Sequence, residues 1–151
     1  MERATTGFLV WRVALKFRAG VDRVLAGVGL THAQYSLLAS LYGLSRSGTA
    51  PSQRELADHT GLDPIFVSKL ARALERSGML RRDPHPADSR AVELTLTEQG
   101  LTVVREAIEL VAGLHRELLA PIGGPESPRN QQLAETLRAL LTTQPPTKEN
   151  P

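Results

Sequence analysis

The sequence predicts a mainly α-helical protein with one small β-hairpin, and three observations predict it. Apolar residues recur three and four positions apart along most of the chain, the period of helices with one buried face. Glycines, prolines and small hydroxyl or acidic residues interrupt that pattern at intervals suited to helix ends. Only one stretch alternates strictly: Val92, Leu94 and Leu96 against Glu93, Thr95 and Thr97, the period of a half-buried strand.

The elements follow in order. Residues 5–28 carry Val10, Ala14, Phe17, Val21, Val24 and Val28 on one stripe, a helix of about six turns. Gly29 ends it, and Thr31 caps a second helix that runs through Tyr35, Leu37, Leu38 and Leu41 to Gly43. Residues 43–52 read as a loop. Ser52 opens a short third helix, with Glu55 completing a capping box, and Gly61 closes it. Asp63 caps a fourth, over 64–77, and Pro64 occupies the first helical position, where a missing N–H costs nothing. Its buried face is Val67, Leu70, Ala71 and Leu74, with Phe66 beside it in the core, and Gly78 ends it.

"MLRR" and the alternating stretch then form a hairpin whose loop is 83–89, where Pro84 and Pro86 stiffen the turn. Thr97 caps a long helix with the stripe Leu101, Val104, Ile108, Val111, His115, Leu118 and Ile122. "PIGGPESP" breaks it before a last helix at 127–142, and 143–151 is a disordered tail by composition.

Composition narrows the class. At 151 residues, 41% hydrophobic and 23% charged, the chain suits one soluble domain over 1–142. It contains no cysteine, which excludes disulfides, thiolate zinc sites and thiol redox chemistry. Arg12 and Lys16 interrupt the apolar "GFLVWRVALKF", so it is neither a signal peptide nor a membrane span, and a cytoplasmic protein is expected. Residues 1–46 hold six Lys/Arg against two acids, 47–90 seven against six, and 91–151 five against eight. That distribution supports nucleic-acid binding only weakly, so motifs must carry the argument.

Two short helices joined by a glycine turn form a helix-turn-helix. Ala57, Gly61, Val67 and Leu70 stand where that motif needs a small residue, a turn glycine and two core aliphatics. Opposite the buried face of the second helix lie Ile65, Lys69, Arg72 and Arg76, with Ser68 alongside. Such a face suits the major groove: Arg and Lys can bond guanine, Ser a base or phosphate, and Ile a thymine methyl.

The stretch from "LTHAQYSLLASL" through "SQRELADHTGLDPIFVSKLARALERSGMLRRDPHPADSRAVELTLTEQG" resembles the MarR family of transcriptional regulators. The likeness covers about residues 30–100 by motif and the whole chain by helix order. It is carried by "LERSGMLRR", the Asp-x-Arg of the hairpin loop and "LTLTEQG" in succession. The resemblance implies a winged helix-turn-helix core at 30–97, with dimerisation helices at 5–28 and 97–142. It implies a wing whose tip Arg90 enters the minor groove, paired with and held by Asp88, with Arg82 and His85 as phosphate neighbours. Ser52, Gln53 and Pro64, at the starts of the two short helices, complete the expected DNA contacts. The family often has small hydroxyl residues where Ile65 and Phe66 stand here, and this wing loop looks longer than usual.

The resemblance also implies a homodimer reading a pseudo-palindromic double-stranded operator, as a repressor relieved by a small lipophilic or phenolic effector. Trp11, His32, Tyr35 and His115 are the candidate effector residues, with core or interface packing as the competing role for Trp11, Tyr35 and His115. The four histidines show no ligand spacing, so no metal and no cofactor is expected. No P-loop, G-x-S-x-G, H-E-x-x-H or dinucleotide glycine pattern occurs, so an enzyme is not expected. The near balance of charge in 47–90 keeps open one alternative, a winged-helix module that binds protein without binding DNA.

Overall fold

The computed structural model describes residues 4–143. They form α1 (Thr6–Ala26), α2 (His32–Ser45), α3 (Gln53–Thr60), α4 (Pro64–Arg76), β1 (Leu80–Pro84), β2 (Val92–Leu96), α5 (Glu98–Leu119), a 3₁₀ turn (Ala120–Ile122) and α6 (Pro128–Thr142). The chain divides into two compact units at Val111/Ala112. All but Thr143 of the expected disordered tail lies outside the described residues.

In the first unit the expected caps form. Thr31 and Gln34 make a reciprocal capping box at the start of α2, and Ser52 and Glu55 make another at the start of α3. Helix α2 continues past Gly43 to Ser45, because nothing there forces the backbone out of helix and Leu44 is half-buried. The core is aliphatic: Val21, Leu25, Leu30, Leu37, Leu38, Leu41, Leu56, Val67, Leu74, Leu80, Leu94 and Val104 are all buried. No polar or charged residue is buried among the described residues, so packing and backbone hydrogen bonds specify this unit without buried ion pairs.

Three expectations need correction here. Phe66 is 43% exposed and not a core residue, and Leu70 is only half-buried. The buried stripe of α4 is centred on Val67, Ala71 and Leu74. Position 66 falls at the flank of that stripe, about 100° from Ile65, where no neighbouring element covers it. Strand β1 reaches Pro84, pairing opposite Val92, so the tip starts at His85 and not at Asp83. A proline is tolerated there because it ends the strand.

The hairpin is antiparallel, with Leu80 opposite Leu96 and Arg82 opposite Leu94. A third, very short segment joins its open edge: Leu94 N–H donates to Pro51 carbonyl at 3.0 Å, and Ser52 bridges Glu93. This bridge anchors the wing to the start of α3.

The N-terminal half of α1 is exposed almost all round, including Phe8, Leu9, Val10, Trp11, Val13 and Leu15; burial on α1 begins at Gly20 and Val21. Val10 therefore does not share the environment of Val21. On α5 the buried positions are Gly100, Val104, Ala107, Val111 and Leu114, while Leu101, Ile108, His115 and Leu118 are half-buried. In the second unit α6 starts on Ser127, whose hydroxyl accepts from Asn130 N–H at 3.1 Å, and Leu133, Leu137, Leu140 and Leu141 are exposed.

Candidate DNA interface

The site is built from α3, α4 and the wing, all in the first unit. At its start, Ser52 N–H donates to Glu55 Oε2 at 2.7 Å and Glu55 N–H to Ser52 Oγ at 3.1 Å. The backbone bond from Ser52, then its hydroxyl, then nearby His85 hold the Glu55 carboxyl below its ordinary value. A depressed folded value stabilises above the unfolded value of about 4.5 and loses that contribution as pH falls through the lower one. Glu55→Gln keeps the box but not the charge, so its stability should vary less with pH below about 4.5 than that of the parent. Urea melts at several pH values check this, and parallel curves would refute it.

Gly61 ends α3 in the left-handed region (φ 70°), a conformation that favours glycine and turns the chain into α4. Asp63 Oδ1 then accepts from the N–H groups of Ile65 (2.9 Å) and Phe66 (3.0 Å). With the buried stripe fixed, Ile65, Lys69, Arg72 and Arg76 are exposed together and Ser68 is half-buried beside them, as expected. Pro64 is exposed, and Ser52 and Gln53 are half-buried at the head of α3, where Gln53 Oε1 is shut from solvent without a partner.

The wing differs from expectation in its contacts. Asp88 does not meet the Arg90 guanidinium; its Oδ1 accepts from Arg90 N–H at 2.9 Å, an Asx turn. Its carbonyl accepts from Ala91 N–H at 3.0 Å, and Ala91 carbonyl from His85 N–H at 3.0 Å. Asp88 thus shapes the backbone from which an exposed Arg90 side chain projects. Asp88→Asn, which keeps the acceptor, should bind DNA within about two-fold of the parent, and Asp88→Ala about five-fold more weakly, roughly one hydrogen bond. An ion pair would instead make both variants equally weak in the same titration.

Arg82 is half-buried, with Nη1 3.5 Å from Glu75 Oε2 and Nε shut from solvent without a partner. It therefore braces the last turn of α4, a role its sequence position does not reveal. His85 Nε2 lies 3.5 Å from Glu93 Oε1, and its Nδ1 accepts from Ala87 N–H at 3.1 Å. Both side chains thus have partners within the protein, Arg82 in Glu75 and His85 in Glu93 and Ala87 N–H.

The four candidate effector residues stand on three helices, α1, α2 and α5. Trp11 is 57% exposed on α1 with its ring centroid 5.9 Å from that of Phe8. His32 and Tyr35 are half-buried on α2, where burial raises the Tyr35 phenol above its ordinary value, and His115 is half-buried on α5. Neither the hollow along α1 nor the one at the wing base is lined by any of the four. Among the described residues no cluster of three or more His, Cys, Asp or Glu could hold a metal, and no helix is long and apolar enough to cross a membrane.

A family model described as the MarR family matches residues 30–92. The chain is 33% identical over 114 residues to an uncharacterised HTH-type transcriptional regulator of Bacillus subtilis, YdcH, spanning 76% of this chain and 78% of that protein. It is 27% identical over 136 residues to the HTH-type transcriptional repressor Mb2911 of Mycobacterium bovis, spanning 90% and 95%. It superposes with a TM-score of 0.73, at 28% identity and over 92% and 93% of the two chains, on the transcriptional repressor CouR bound to a 23-mer DNA duplex. CouR comes from Rhodococcus jostii RHA1.

Proposed function

The chain belongs to the MarR family of transcriptional regulators, and from that premise we propose that it is a homodimeric repressor binding a pseudo-palindromic double-stranded operator through α4 and the wing. One observation carries the reading. Lys69, Arg72 and Arg76 share the exposed face of a helix whose opposite face is locked into the core. Cations on a fixed rod suit the major groove, and Arg90 on its turn suits the concentrated negative potential of the adjoining minor groove. The similarity to CouR, whose structure includes a DNA duplex, points the same way.

The exposed leucines of α6 and the exposed apolar half of α1 support self-association, since stripes of that size are costly in water. A two-fold dimer places two recognition helices about one DNA turn apart and so selects a palindromic site. A small lipophilic or phenolic effector relieves repression by binding one helix spacing better than another. A regulator of this kind needs no catalytic group, and we assign it no enzymatic activity and a cytoplasmic location.

Footprinting on the DNA flanking its own gene tests the proposal. A protected palindrome whose affinity falls about 10³-fold between 50 and 200 mM salt is expected, the mark of several neutralised phosphates. Salt-insensitive or absent binding overturns it and favours the protein-binding module. Protection lost on adding candidate phenolic compounds tests the effector.

A further inference from the structure

We propose that Ile65 and Phe66 form an apolar reader of pyrimidine 5-methyl groups, making thymine methyls part of what this protein recognises. The inference rests on the DNA-binding reading above and specifies its first turn. Ile65 is 69% exposed and Phe66 43%, two large apolar side chains at consecutive positions in the first turn of the helix. The core stripe of Val67, Ala71 and Leu74 is complete without either.

The polar means of recognition at this turn are already engaged. Asp63 Oδ1 takes the backbone donors of both residues, so neither N–H is available to a base or a phosphate. The carboxylate at that point also repels the phosphate backbone. Contact here must therefore be made by the two side chains. In the major groove the base edges offer donors, acceptors and one apolar group, the 5-methyl of thymine, and aliphatic and phenyl carbons complement only the last. First-turn residues of a recognition helix are those nearest the base edges. A protein partner is the lesser fit, because Lys69, Arg72 and Arg76 continue the exposed face of Ile65, which Phe66 flanks, and match a polyanion.

The test removes methyl groups without altering base pairing. A duplex bound by the full-length protein is obtained by selection from a random library, and each thymine is replaced in turn by deoxyuridine. At one or two positions per half-site, each lost methyl should weaken binding by about four-fold, and symmetric replacement by about fifteen-fold. In the Ile65→Ser, Phe66→Ser double variant, whose changes are on exposed side chains, deoxyuridine at those positions should have no effect. If every thymine of a tightly bound, salt-sensitive duplex tolerates replacement in the parent, the methyl reader is wrong while the DNA-binding reading stands. If the double variant keeps the full deoxyuridine sensitivity, other residues read the methyls and the assignment is wrong. If selection yields no duplex that binds, both readings fall together.

Discussion

Gly100→Ala is expected to destabilise the protein by at least about 3 kcal/mol and to lower its melting temperature by about 10 °C. A Cβ at this position would sit 1.8 Å from the Met79 carbonyl oxygen and 2.8 Å from its carbonyl carbon. Backbone cannot rotate away as a side chain can. The approach is also held from three directions: Thr97 N–H donates to Met79 carbonyl at 3.1 Å, Thr97 Oγ1 to Gly78 carbonyl at 2.5 Å, and Gly100 N–H to Thr97 Oγ1 at 3.0 Å. Admitting a methyl means breaking that joint between the end of α4, the foot of the wing and the first turn of α5. A loss of this size is a large share of the roughly 5–15 kcal/mol that holds a domain together. Gly43→Ala is the contrasting variant, since nothing lies within 4 Å of its added carbon. It should be neutral or stabilising by up to about 1 kcal/mol, as alanine favours helix. Thermal melts of the two distinguish a contact effect from a general intolerance of glycine replacement, and a Gly100→Ala melt within a degree of the parent would refute the close approach.

That joint shows what the sequence can and cannot display. The caps of α3 and α4 were legible because Ser52 with Glu55, and Asp63 with Pro64, act within four residues of each other. The pattern of Val67, Ala71 and Leu74 likewise oriented α4, and with it the cationic face. Contacts between distant residues were not legible. Pro51 and Ser52 reach across to Glu93 and Leu94, and nothing in "APS" announces a strand edge. Phe66 lies at the margin of a stripe, where its own helix leaves burial undecided and neighbours settle it. Asp-x-Arg fits an ion pair and an Asx turn equally well in sequence, and only the 2.9 Å bond to Arg90 N–H separates them. Arg82 and His85 looked like generic cations near DNA, yet Glu75 and Glu93 stand close enough to occupy them. For Trp11 the helix pattern alone could not decide between packing and exposure, and the structure leaves it 57% exposed.

Arg72→Ala should weaken binding to the selected palindrome by about 2–6 kcal/mol, or about 1–3 kcal/mol at each half-site, and should relax preference at one base pair in each. Arg72 is in the middle of the exposed face of α4, about a turn from Lys69 and another from Arg76, the place on the rod that the proposed docking would set against the base edges. On the proposed docking, its loss would remove a bidentate pair with guanine. Arg90→Ala should behave differently. On the proposed docking its guanidinium would meet the minor groove, whose pattern is degenerate, so affinity should fall for many sequences alike, with little change in their ranking. The two variants therefore separate what specifies a base from what holds the duplex. Titration of each against the selected site and against single-base variants of it reads both quantities at once. Matching losses across all sequences for both variants would place base recognition elsewhere on α4, and parental affinity in both would remove this face and this wing from the interface.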